Sequence, residues 1–332
     1  MKKSFNWSLW IFFLLFFGLL PLTVFAINVN PISMKGMTQA YGFVIGQEYS
    51  LSRIEKEFPE LTGEVELART QFDSTFPGIK TKLEVQLKQA MSPKHFQETA
   101  TNLQSKLREI LGRQQVTHEF ALKLLEQVKA RSKGEIESPV LEYLLAVKYT
   151  ANPVGEFSDG FRQHYSTDGK GKSKGIKLRM QIPRSWAGKV GDRPHIVQKW
   201  TSENGTGLEM FILDIRDSQW NNPSKKEIEN FVKSGELKEI VPEGSSYVAS
   251  GNFSIEGRPG YWLQMTMSIE RAGVIIHQDI VAYQFFFRSK AIGLMCQAAG
   301  PVTEKLKIKE AFKRIRPLCQ QVLNSLVLEQ AY

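Results

Sequence analysis

The side chains able to do chemistry are few and scattered. The five histidines are His95, His118, His164, His195 and His277. No two stand three to five residues apart, the spacing that places two metal ligands side by side. H-E-x-x-H and C-x-x-C are absent. No metal and no cofactor are therefore expected from local spacing; only His164, His195 and a carboxylate brought together by the fold would supply a site. G-x-S-x-G is absent too, and Ser245 and Ser246 after Gly244 open a strand instead of sitting on a strand-to-helix elbow. Gly171-Lys172-Ser173 matches the end of a phosphate-binding loop. Ser166 stands where the first glycine is needed, and a strand follows where a helix should, so the stretch reads as solvated loop. The enzyme reading that remains is an envelope hydrolase with a dispersed site, in which Asp168, His195, His277 or nearby acids converge.

Cys296 and Cys319 are the two cysteines. In an oxidising compartment they invite a disulfide; otherwise they are two buried thiols packing as small hydrophobes. A bridge needs Cα atoms ~4.4–6.8 Å apart. The pair falls on a last strand and a closing helix, whose layers usually lie ~10 Å apart. Both readings stand at this point.

These residues have to be positioned by a chain of 332 residues, 42% hydrophobic and 11% aromatic, which excludes a disordered protein. The net charge is +9. Lys2 and Lys3 precede an uncharged, mostly apolar run from Leu9 to Ala26 that closes Val24-Phe25-Ala26. That is the order of a Sec-type leader, with cleavage expected after Ala26. An uncleaved anchor is the other reading, against which Gly18 and Pro21 interrupt the run. Cleavage takes two lysines from the +9 and leaves +7. A periplasmic or secreted location follows, with no membrane span after cleavage and no nucleic acid expected as a partner for the positive charge.

From about 38 to 150 the period is helical. Phe96, Ala100, Leu103, Leu107 and Ile110 form one stripe. Ser92-Pro93, Thr117 and Ser138-Pro139 read as helix starts, and Gly134 as a stop. Leu67, Phe72, Phe76, Ile79 and Leu83 suggest a helical pair broken at Pro77. A bundle of four to six helices results. Residues 151–174, polar and glycine-rich from Ser166 on, read as an exposed linker. After Gly175 the period becomes two: Ile176, Leu178, Met180 and Ile182 alternate with polar residues. Asn204-Gly205-Thr206-Gly207 reads as a hairpin turn. Asn222-Pro223 should cap a short helix, four strands follow, and a closing helix is expected to kink or break at Pro317. The fold class is α+β: a helical bundle, then an antiparallel sheet flanked by helices. The expected division is a leader at 1–26, a helical domain at 27–150, a linker at 151–174 and a sheet domain at 175–327.

The alternation Ile176–Ile182 running into Pro183-Arg184-Ser185-Trp186, the order β-β-β-α-β-β-β-β-α and the closing helix resemble the PsbP-like fold. That group includes the lumenal extrinsic protein of photosystem II, Ran-binding nuclear import factors and periplasmic DcrB-type proteins. The resemblance covers residues 175–327 and implies an α/β/α sandwich that acts by binding other proteins, with no shared catalytic set. The two halves together resemble bacterial exported proteins with a helical front. The first functional expectation is thus an exported, non-enzymatic accessory protein that binds a protein or an anionic envelope component. Its candidate partner surface is Trp220, Lys170, Lys172, Lys174, Arg184 and Trp186. Lys305, Lys307, Lys309, Lys313, Arg314 and Arg316 form a second basic cluster, which also reads as a solvated face.

Overall fold

The computed structural model describes residues 27–332; the leader expected at 1–26 and the cleavage expected after Ala26 lie outside them. The first part is helical: α1 (Pro31–Glu57), α2 (Thr62–Thr75), α3 (Ile79–Ala90), α4 (Pro93–Gly112), α5 (His118–Ser132) and α6 (Val140–Tyr149). Among the described residues no helix is long and apolar enough to cross a membrane.

Local chemistry explains the ends. Asn30 accepts from the Ile32 and Ser33 N–H groups, with Pro31 in the first turn of α1. Ser92 and Thr117 cap α4 and α5 as expected. Gly134, at φ 89°, follows the last turn of α5. Phe76-Pro77-Gly78 separates α2 from α3. One cap differs: Ser138 makes no cap bond, and its hydroxyl donates to the Glu142 carboxylate at 2.6 Å. The stripe of α4 also fades. Phe96 and Ala100 are buried, Leu103 and Leu107 half-buried, and Ile110 is exposed. A Cβ on Gly42 or Gly46 of α1 would meet Leu103 at 3.3 Å or Leu107 at 3.6 Å, so the two glycines let α4 approach.

Residues 151–174 are not a linker. They hold helix α7 (Pro153–Ser158) and strand β1 (Arg162–Ser166). β1 pairs antiparallel with β2 (Leu178–Pro183), from Arg162 opposite Pro183 to Ser166 opposite Arg179. The loop between them is folded on itself: the Gly175 N–H donates to the Gly169 carbonyl, and Ser173 is buried. The strand escaped notice because its inward positions are Gln163 and Tyr165, which carry no aliphatic alternation.

The remaining strands are β3 (Ala187–Val190), β4 (Ile196–Thr201), β5 (Glu209–Asp217), β6 (Ser245–Ile255), β7 (Arg258–Arg271), β8 (Val274–Phe287), β9 (Lys290–Pro301) and β10 (Val327–Leu328). Helix α8 (Lys225–Ser234) lies between β5 and β6, and α9 (Lys305–Asn324) follows β9. The large sheet has the order β3-β4-β5-β9-β8-β7-β6; a small one has the order β1-β2-β10. Both are antiparallel throughout. The β4–β5 hairpin turns at Ser202–Gly205, where Glu203 and Asn204 carry positive φ. Ser224, not Asn222, caps α8, with Glu227 returning the bond to the Ser224 N–H. Helix α9 runs unbroken through Pro317.

Two cores result. One holds the bundle residues from Ile27 to Tyr149. The other fills the space between α9 and one face of the large sheet, where Phe211, Leu213, Val281 and Phe285 meet Phe312, Ile315 and Leu318. Cys296 and Cys319 lie in this second core, joined by a disulfide with Cα atoms 6.2 Å apart. That separation falls within bridging range and is shorter than the usual spacing of helix and sheet layers.

Candidate functional site

Strand side chains alternate between faces, so burying Phe211, Leu213 and Cys296 under α9 turns Met210, Ile212 and Met295 the other way. The register extends this second face. Ile212 lies opposite Met295 and Met210 opposite Gln297, while Met265 lies opposite Ile280 and Met267 opposite Gln278. Toward the β6–β7 and β8–β9 turns helix α8 covers it: Ile228 is buried with Leu237, Tyr261 and Phe286, and Trp220 and Phe231 pack beside them. The rest is a trough of about 650 Å³ between the sheet, the Pro242 loop and the Asp192–His195 loop. Such a volume suits one small ligand.

The floor of the trough is Met210, Ile212, Met265, Met267, Ile280 and Met295, with the buried side chains of Gln278 and Gln297 among them. Unbranched, polarizable thioethers adapt to the shape of an apolar occupant, as flexible methionine surfaces do. The rim carries Arg193, His195, Lys199, Arg216 and Arg271, against Asp192 and Asp214. Lys199 pairs with Asp192 at 2.5 Å and Arg216 Nε with Asp214 at 2.9 Å. Burial holds the Asp214 carboxyl above its ordinary range, against the pull of Arg216. Burial and the Arg216 guanidinium lower the His195 imidazole, which favours its neutral form. A Cβ on Gly293 would lie 2.2 Å from Asp214 Oδ1, so glycine there makes room for the carboxylate. The lining is thus mostly apolar below, broken by the Gln278 and Gln297 amides, and cationic at the edge, with no serine, threonine or cysteine in it.

The partner surface expected from the sequence does not form one patch. Trp186 is buried and stacks on Phe211 with ring centres 4.1 Å apart. Trp220 is half-buried between Phe231 and Phe286; the aromatic-rich cover of the sheet claims it. Arg184 meets Glu142 of α6 at 3.3 Å, joining the two halves. Lys172 Nζ donates to the Gly191 carbonyl, and Lys174 pairs with Asp217 at 2.5 Å. Lys170 is exposed.

Nor do the hydrolase candidates converge. Asp168 is exposed in the β1–β2 loop and accepts from the Lys170 N–H. His195 sits on the trough rim, while His277 is buried on the opposite face, since its neighbour Gln278 lines the trough. His277 does approach a serine that sequence reasoning missed: Ser268 Oγ lies 3.2 Å from Nδ1, and Asp279 Oδ2 lies 3.8 Å from Nε2. The second distance is too long for the hydrogen bond that would orient the ring. The trough methionines were also missed. Their signal was present as Met265-x-Met267-x-Ile269, one face of one strand.

No protein-family model matches the chain, and no curated protein matches it. Several solved structures do. A cyanobacterial PsbP, CyanoP from Synechocystis sp. PCC 6803, is 13% identical over 50% of this chain and 92% of its own, with a TM-score of 0.31. LpqN of Mycobacterium tuberculosis, involved in cell envelope biogenesis, is 11% identical over 53% and 96%, with a TM-score of 0.31. The Saccharomyces cerevisiae Ran-binding protein Mog1p is 7% identical over 50% and 95%, with a TM-score of 0.32. The resemblance read from residues 175–327 pointed to the same group. The likeness concerns the chain path of about half the molecule, not what it binds.

Proposed function

We propose that this chain is an exported, non-enzymatic accessory protein that binds an envelope component in the methionine trough. The occupant is an amphiphile with one apolar chain and an anionic head. The observation that carries this reading is the pairing of a methionine–isoleucine floor with a rim of arginines on the uncovered part of one sheet face. The floor offers apolar burial worth about 0.8 kcal/mol per methylene; the rim supplies the sign of charge that selects the head. The expected leader and the Cys296–Cys319 disulfide support an oxidising compartment.

The test is displacement of a fluorescent fatty acid from delipidated protein, together with native mass spectrometry of protein recovered from its own envelope. Binding that Met267→Trp abolishes, with the fold intact by circular dichroism, supports the reading. Retained binding in that variant, or recovery of a stoichiometric acidic protein in place of an amphiphile, counts against it.

A further inference from the structure

Ile27 is 1% exposed. Its backbone N–H donates to Gln86 Oε1 of α3 at 2.8 Å. The next residue reaches the other half of the molecule. The Asn28 N–H donates to Glu203 Oε2 at 2.8 Å, and the Asn28 side-chain amide donates to the Thr206 carbonyl at 2.7 Å. The Asn28 carbonyl in turn accepts from the Ser33 hydroxyl at 2.8 Å, inside the first turn of α1. Two consecutive residues therefore hold together α3, the start of α1 and the β4–β5 turn.

That turn is strained, and it sets two carboxylates close together. Glu203 and Asn204 stand at φ 54° and 52°, an unfavourable conformation that persists where surrounding contacts enforce it. Burial and the neighbouring Glu209 push the Glu203 carboxyl up to about 7, against Asn28, Lys307 and Arg314. Glu209 is itself held by the Ser202 hydroxyl at 2.6 Å and by Arg314 Nη2 at 3.1 Å.

We propose that this seam is the binding site for the amino terminus created by leader removal, and that its occupation locks the sheet half onto the helical bundle. The inference rests on the export reading above. Hydrolysis of the Ala26–Ile27 peptide by a leader peptidase consumes one water. It leaves a carboxylate on Ala26 and an amine on Ile27, which takes up a proton. An α-amino group titrates near ~7.7–8.0, so at neutral pH the Ile27 nitrogen becomes an ammonium. It gains two donors beside Gln86 Oε1, one residue from the Glu203 carboxylate. A cation there favours the ionised carboxylate, a charge the uncut amide cannot supply. The halves thus close most firmly after cleavage.

The experiment has two arms. In the first, chain recovered from the envelope is sequenced from its amino terminus; a start at Ile27 is expected. In the second, chain beginning at Ile27 is treated with an amine-reactive ester at neutral pH, folded and in urea. Acylation of the Ile27 amine at least ~10-fold slower in the folded chain is expected, as for a group that reacts only on local opening. Glu203→Gln should speed it several-fold, and Asn28→Ala should do the same if Glu203→Gln fails to fold. Hydrogen exchange at 202–207 should be faster when extra residues precede Ile27. Equal acylation rates folded and unfolded overturn the latch and leave export standing. A start elsewhere in an exported chain does the same. Uncut chain confined to the cytoplasm overturns both.

Discussion

The carboxylate of Glu156 accepts from both the backbone N–H and the hydroxyl of Ser185, each at 2.7 Å, and ties α7 to the turn between β2 and β3. Both residues are 2% exposed. Burial raises the Glu156 carboxyl to about 7, partly opposed by the bonds from Ser185. The unfolded chain releases this proton near ~4.3. Between that pH and about 7 the folded state holds a proton that the unfolded state has lost. Stability from this group is therefore full below the window and falls as pH rises through it. Glu156→Gln should leave stability nearly unchanged at pH 4 and raise it by about 2–3 kcal/mol above pH 7.5. Urea denaturation at the two pH values checks this; equal destabilisation at both would show that the amide breaks the Ser185 contacts instead.

Gly36 and Tyr143 make a second prediction. A Cβ on Gly36 would lie 1.8 Å from Tyr143 Cε2, inside the α1–α6 contact. Alanine favours a helix over glycine by ~1 kcal/mol, but overpacking a rigid ring costs about 1–3 kcal/mol or more. Gly36→Ala should thus destabilise the protein despite its better propensity. Combining it with Tyr143→Ala should cost less than the two single changes added together, a coupling measured by a double-mutant cycle.

Much of the architecture was legible because burial on one face leaves a period. Ile176 to Ile182 announced β2, and Ser92-Pro93 announced α4, since both signals are local. β1 was illegible: Gln163 and Tyr165 face inward only because Pro183 to Arg179 happens to lie beside them. Trp186 was illegible for the same reason: its partner Phe211 is distant in sequence, so a buried stack looked like an exposed contact residue. The trough was half-legible. Alternation put Met265 and Met267 on one face, but only the placement of α8 shows where that face is left uncovered.

The disulfide predicts a separation of stability from binding. Closing a loop with a sequence separation of 23 should stabilise the fold, by ~3 kcal/mol on the chain-entropy account. Cys296 points into the α9 core, while its neighbour Met295 lines the trough. Reduction should lower the denaturation midpoint, yet leave the affinity for a fatty-acid probe unchanged under native conditions. A parallel loss of affinity would mean that the trough depends on the packing beneath α9.

The trough itself predicts a chain-length law. If each methylene is buried on the Met210–Met295 floor, affinity should rise about fourfold per methylene, the equivalent of ~0.8 kcal/mol. The rise should stop where the chain outgrows a cavity of about 650 Å³. The head follows different physics. Arg193 and Arg271 are exposed, so their pull on an anionic head is screened by salt. Arg193→Ala with Arg271→Ala should lower affinity for a fatty acid, leave affinity for the matching alcohol unchanged, and flatten the salt dependence. Isothermal titration of a homologous series at two ionic strengths measures all three. An affinity independent of chain length would remove the methionine floor from the binding site, whatever the arginines do.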